Sequence, residues 1–422
     1  MKVLIKQARV ICPSSPYHGQ SKDILIDNGI ISTIADNISE MAETVIKAGN
    51  LHVSIGWMDI FASFADPGYE YRETLESGAA AAAAGGFTDV LIIPNTNPVL
   101  HNKPQVEYIV QKSKTLDVNI HPAGAVTRNT DGNELAEMYD MQHSGAIAFT
   151  DGINAIQNSG LLIKALQYVK TFNGTVIQVP DDRSINAGGL MNEGIISTQL
   201  GLPGKPAMAE ELIVARDIKL ARYADSRLHI TGVSSAKSLE YIKRAKEGGI
   251  QVTCSVTPYH LFFTDEDLVT YDTNLKVNPP LRTHTDKEAL IRALIDGTVD
   301  CIASHHIPQN YDNKVCEFEY AKPGMIGLET LFSVVRTVVY NQLPIEQLVE
   351  KLTITPRELF NLAVPEIKEG AAASLTLFNP DEEYIFEESM IRSKSKNSAF
   401  TGRKLKGKVT GIINGNKTLL NK

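Results

Sequence analysis

The sequence predicts an α/β protein: a closed (β/α)8 barrel of the TIM type that carries a small β-sandwich assembled from both chain ends. Three observations predict it. Eight short apolar runs alternate with amphipathic stretches between residues 53 and 365. The segments on either side, 1–52 and 366–422, read as strands and turns alone. The length of 422 residues also leaves room for a second unit beside a barrel, which takes about 250 residues.

In chain order, "VLIKQARVI", "DILIDNGIISTIA" and "ETVIKAG" show β-branched alternation, and Asp27-Asn28-Gly29 marks a hairpin turn. The rhythm then changes. "SIGWMDIF", "TDVLIIPN", "VNIHPAGAV", "GAIAFTDG", "GTVIQVP", "RLHITGVS", "IQVTCSVTP" and "DCIASHHIP" are each short and apolar enough for a strand buried on both faces. Helical segments such as "KSLEYIKRAKEGG" separate them. The run Ala79 to Ala84 reads as a close-packed helix stopped by Gly85-Gly86. After residue 366, "ASLTLFNP", "EYIFEES" and "KVTGIINGN" return to strand patterns, and the acidic stretch 381–388 reads as a solvated edge. Reacting groups of a barrel lie at the C-terminal ends of its strands, so function is sought there.

Composition narrows the function classes. A net charge of −8 and a pI near 5.7 offer no basic field to a phosphate backbone, so no nucleic-acid partner is expected. No window reaches the roughly 18 apolar residues of a membrane span, and "MKVLIKQARVICPSS" is too polar for a signal segment. Cys12, Cys254, Cys301 and Cys316 lie far apart, which suits a reducing cytoplasm and argues against disulfides or a thiolate zinc site.

Seven motifs then appear in one order: "DPGYEYRET", "ESGAAAAAAGGFTDVLIIPNTNP", "GLPGKPAMAEE", "VTPYHLFFTDED", "KVNPPLR", "GMIGLET" and "SAFTGRKLKGKV". Together they resemble the type I dihydroorotases of the amidohydrolase superfamily, over essentially the whole chain. The resemblance implies a cyclic amidohydrolase of pyrimidine biosynthesis, which hydrolyses dihydroorotate to N-carbamoyl-L-aspartate. In the family, a zinc-bound hydroxide attacks the ring carbonyl and an aspartate on strand eight moves the proton.

The family's site residues carry over poorly. Its strand-one motif, D-x-H-x-H, reads Asp59-Ile60-Phe61-Ala62-Ser63 here, so Phe61 and Ser63 stand at two metal-ligand positions. The substrate-binding arginine two residues later is Ala65. Asp151 in "FTDG" matches the metal-bridging aspartate. Gln178 is assigned to the strand-five ligand and Gly232 to the strand-six ligand, with His229 kept beside it. The strand-eight motif, D-H-A-P-H, is His305-His306-Ile307-Pro308-Gln309, which puts His305 at the general-base position. Asn95 and Asn278 occupy substrate-contact positions, although asparagines beside prolines also build turns.

Zinc needs three or four protein ligands near 2 Å, so no cofactor is expected; a residual zinc site from Asp151, His305 and His306 is the alternative. His229 and His260 read as hydrogen-bonded core residues, and Phe61 as filling volume that metals would occupy. The resemblance thus implies a noncatalytic dihydroorotase-like protein. Its expected partner is aspartate carbamoyltransferase or an active dihydroorotase, in an oligomer. The alternatives are a working cyclic amidohydrolase with a rebuilt site and a sensor that binds a small molecule without turnover.

Overall fold

The computed structural model describes residues 2–421. Strands Ser21–Asp27 and Ile30–Ala35 form the expected hairpin, with Asp27 opposite Ile30. Asn28 and Gly29 close it with φ of 47° and 77°, the left-handed pair that a two-residue turn demands. This hairpin flanks Lys2–Val10, which runs parallel to His52–Ile55; that strand in turn pairs antiparallel with Ser374–Ile385. Strands from both chain ends therefore share one eight-stranded sheet. Its buried face is aliphatic, with Val3, Ile5, Ile24, Ile26, Val53, Leu375, Leu377 and Ile413 in a single cluster.

One expectation about the tail needs correction. "ASLTLFNP" and "EYIFEES" belong to one strand, Ser374–Ile385, whose pairing slips between Asn379 and Glu383. The acidic stretch is solvated as expected, and its strand part, Glu383–Ile385, is paired on one side only. It lies against Lys404–Asn414, and Glu383 meets Lys404 at 2.5 Å and Lys406 at 3.4 Å while Glu382 meets Lys408 at 2.9 Å.

The eight barrel strands are Trp57–Ala62, Phe87–Ile92, Asn119–Gly124, Ala148–Phe149, Thr175–Gln178, Arg227–Ile230, Val252–Val256 and Cys301–Ile302. Each pairs parallel with the next. The ring closes where Ser63 N–H donates to the carbonyl of His306 at 2.8 Å and Ala62 bridges His306. Alternation along the strands separates two cores. Met58, Ile60, Leu91, Ala148, Ile177 and Cys301 fill the lumen, whereas Phe87, Val90, Val176 and Leu228 face the helices.

Helix Leu75–Ala84 follows the first strand. Thr74 caps it by accepting from Ser77 N–H, and the chain leaves through Gly85 and Gly86, whose φ is 92°. Small residues suit it because the helix lies close to the barrel: a Cβ at Gly78 would stand 2.5 Å from the Phe64 ring. The thiols of Cys12, Cys254 and Cys301 are buried and unpaired, and Cys316 is half-buried. Among the described residues, no helix is long and apolar enough to cross a membrane.

Candidate functional site

A cavity of about 690 Å³ opens at the C-terminal ends of the barrel strands, lined in part by Phe61, Ser63, Val179, Asn278 and His305. Its floor is aromatic. The Phe61 and His305 rings stack with centroids 4.3 Å apart and an interplanar angle of 25°. His305 reaches this place from a left-handed backbone, φ 43°, an uncommon conformation for a side chain of its size.

Behind the stack, side chains form a continuous hydrogen-bonded chain. Thr231 Oγ1 lies 2.8 Å from His305 Nε2 and 2.9 Å from Ser255 Oγ; Ser255 Oγ lies 3.0 Å from His229 Nε2, whose Nδ1 meets Thr253 Oγ1 at 2.9 Å. The hydroxyls meet both nitrogens of His229 and Nε2 of His305 without any charge. Burial pushes both histidines down to about 3, with His260 and His229 adding to the effect at His305, so both rings are neutral near pH 7.

Gly232 completes the floor by having no side chain. A Cβ there would stand 2.6 Å from His305 Cε1, and the backbone is left-handed at φ 71°. The space a strand-six histidine would need is taken by the His305 ring.

His306, one residue on, points to the opposite face, as alternation requires. Its Nδ1 accepts from Gly327 N–H at 3.3 Å, so the proton sits on Nε2, which donates to Glu73 Oε2 at 3.4 Å. Glu73 is fully buried and also accepts from Ser77, Ser393 and Lys394 N–H. Burial opposes its ionisation, but the His306 bond and the serine hydroxyls hold its carboxyl below the usual range. A similar bracket fixes strand one to strand eight: Asp59 accepts from Ser304 N–H and Ser304 Oγ, each at 2.7 Å.

Of the remaining candidates, Asn95, Asn278 and Gln309 line the cavity, whereas Asp151, Gln178 and His260 do not. Asp151 turns away from it, accepting from Thr127 N–H at 2.8 Å and Thr127 Oγ1 at 2.5 Å; burial raises it to about 6. The residual trio of Asp151, His305 and His306 is therefore not brought together. Gln178 also needs correcting. It faces the helix layer and brackets Ile156, accepting its N–H and donating to its carbonyl, both at 3.3 Å. The strand-five residue facing the cavity is Val179, equally unable to bind metal.

Asn95 spends its amide on the next loop, donating to Asp151 O at 3.1 Å and accepting from Ile153 N–H at 3.1 Å. Asn278 is held between Lys205 and Asp181 at 3.3 Å each. Gln309 is tied to Pro323 O and Asn313. His260 is buried beside the rim, bonded to Thr257 Oγ1 at 2.8 Å and to the carbonyl of Pro279 at 3.1 Å. Ala65, at the arginine position, offers no polar atom. Among the described residues, no three His, Cys, Asp or Glu side chains lie together as metal ligands would. The single imidazole on the floor has one face covered by Phe61 and its Nε2 taken by Thr231, so these residues do not fit a zinc ion.

Comparison with known proteins gives the lineage. A family profile described as Dihydro-orotase-like matches residues 51–238. A protein of Syntrophus aciditrophicus named dihydroorotase is 41% identical over 413 residues, covering 97% of each chain. The chain belongs to the dihydroorotase family. A dihydroorotase of Acetivibrio thermocellus is 40% identical and covers 98% of each chain. Among solved structures, the L-hydantoinase (dihydropyrimidinase) of Arthrobacter aurescens superposes with a TM-score of 0.85, covering 100% of this chain and 96% of its own, at 23% identity. That likeness bears out the barrel fold. The family thus keeps its fold in this chain around a mouth whose floor is a Phe–His stack.

Arg72, Arg183 and Lys322 also line the cavity; Arg72 lies inside the motif "DPGYEYRET", but nothing in the sequence singled out any of the three. They sit on loops after strands one, five and eight, where apolar periodicity carries no information. Only Arg183, just past strand five, stood close to a barrel strand in sequence.

Proposed function

We propose that this member of the dihydroorotase family serves pyrimidine biosynthesis without zinc-dependent hydrolysis, as a noncatalytic companion of aspartate carbamoyltransferase or of an active dihydroorotase. One observation carries the reading: Phe61 stacked on His305, with Gly232 beneath, fills the place where two metals and their ligands would converge. The same reading takes 1–52 with 366–422 as one domain, 53–365 as the barrel, and the protein as an oligomer in the cytoplasm. Its test is twofold. Purified chain with added zinc is expected to give no dihydroorotate hydrolysis above buffer, and affinity capture from native extract is expected to retain aspartate carbamoyltransferase or a second dihydroorotase. Capture of neither would overturn the companion role.

A second reading has its own support. Relatives near 40% identity bear the name dihydroorotase, and the mouth remains an open cavity with an imidazole on its floor. On that reading the chain is a dihydroorotase, or a related cyclic amidohydrolase, with a rebuilt site. Zinc-stimulated turnover that disappears in His305→Ala would favour it.

A further inference from the structure

A second cavity, of about 260 Å³, lies outside the barrel mouth, where helix Leu75–Ala84, strands Ser374–Ile385 and Lys404–Asn414, and Asn421 meet. It is just under the roughly 300–1,000 Å³ of sites for drug-sized ligands, so its occupant has to be small.

Two opposite charges line it, and neither is spent. Glu329 is only 8% exposed and enters no ion pair among the described residues. Its Oε1 accepts from Arg392 N–H at 3.1 Å and from Ser393 N–H at 3.0 Å, while Oε2 has no partner among the described residues. A carboxylate so far out of water costs free energy that a cation would recover. The Arg392 side chain is exposed and makes no hydrogen bond, ion pair or ring contact among the described residues. The bond from its backbone to Glu329 sets the two residues side by side, within reach of one small molecule. Lys408, also in the wall, is already paired with Glu382 at 2.9 Å.

Asn421 adds an acceptor. Its Nδ2 donates to Ala84 O at 2.8 Å and Val409 O at 3.0 Å, which leaves Oδ1 unpartnered among the described residues. The rest of the wall is largely apolar, with Phe386, Met390 and Val409.

A plain anion would meet Glu329, and a plain cation would meet Arg392. A molecule that carries an ammonium and a carboxylate on neighbouring atoms satisfies both, and a guanidinium takes a carboxylate in two parallel hydrogen bonds. We infer that this cavity binds a free α-amino acid with an aliphatic side chain: its ammonium on Glu329 Oε2 and Asn421 Oδ1, its carboxylate on Arg392, and its side chain against Phe386, Met390 and Val409. The site bears on the barrel, because Ser393, next to Arg392, gives its hydroxyl to Glu73, which also accepts from His306. It stands whether or not the mouth hydrolyses anything.

Isothermal titration of the full-length protein with leucine, isoleucine and valine, and with the amine-free acid and the carboxylate-free amine of each, tests it. At least one amino acid is expected to bind with Kd below about 1 mM, and both of its analogues at least about tenfold more weakly. Arg392→Gln, on an exposed side chain, is expected to weaken that amino acid at least about tenfold. Glu329→Gln should do the same, since its amide oxygen can still accept from the two N–H groups but carries no charge. Arg183→Gln, in the barrel mouth, should leave the affinity unchanged. No amino acid binding below about 1 mM, an analogue as tight as its amino acid, or full affinity in Arg392→Gln would each overturn the inference. So would an affinity lost in Arg183→Gln, which would put the ligand in the mouth instead.

Discussion

His305 and His306 are chain neighbours with opposite surroundings. His306 faces outward into a bracket that joins strand eight to Glu73, helix Leu75–Ala84 and the segment around Ser393. His305 faces inward and rests on an aromatic ring with one hydroxyl for a partner. The outer network is charged, saturated with hydrogen bonds and held by residues far apart in sequence. The inner floor is neutral and packed. The comparison teaches that the scaffold of a barrel mouth and its chemistry are separable because they lie on alternate residues of the same strands.

The sharpest way to break the contrast is to damage the outer face. Glu73→Ala leaves His306, Ser77, Ser393 and Lys394 N–H without their common acceptor, and removing one member of such a buried network costs about 3–5 kcal/mol. Denaturant unfolding should show that loss, with no comparable loss on the inner face.

There, pH is the better probe. Burial holds His305 and His229 at about 3 and His260 at about 4, below an unfolded value near 6.5. Between these limits the unfolded chain binds more protons, so the stabilisation is complete above pH 6.5 and drains away as pH falls toward 4. Each imidazole contributes a slope approaching about 1.4 kcal/mol per pH unit. His305→Leu should flatten the acid limb of the stability profile by about one such slope, and an unchanged slope would contradict a neutral, buried His305.

A smaller effect isolates the close approach of Gly232 to His305. Gly232→Ala should destabilise by about 1–2 kcal/mol from the left-handed backbone alone, with a further cost from the His305 ring. In a His305→Gly background only the backbone part should remain, so a double-mutant cycle would read the contact directly. Additive effects would mean that the two residues do not meet.

Much of this was legible in the sequence. Apolar runs bounded by turn residues located all eight barrel strands, and Asn28-Gly29 fixed a hairpin, because periodicity and turn chemistry are local. Phe61, Ser63, Ala65 and Gly232 could be set against the family's motifs for another reason: the matching residues around them set their register. Gln178 was misplaced by a single residue, and on a strand that step turns a side chain from the lumen to the helix layer. The direction of Asp151 was not legible, because it depends on Thr127, a partner on the preceding barrel loop. The direction of Arg72, Arg183 and Lys322 was invisible, since loops carry no periodicity to reveal which way they fold.

The most direct measurement is zinc stoichiometry by elemental analysis on protein purified with zinc present and then desalted. An aromatic floor with one occupied imidazole predicts far less than one zinc per chain. One or two tightly held zinc ions per chain, lost together with any dihydroorotate hydrolysis in His305→Ala, would contradict it.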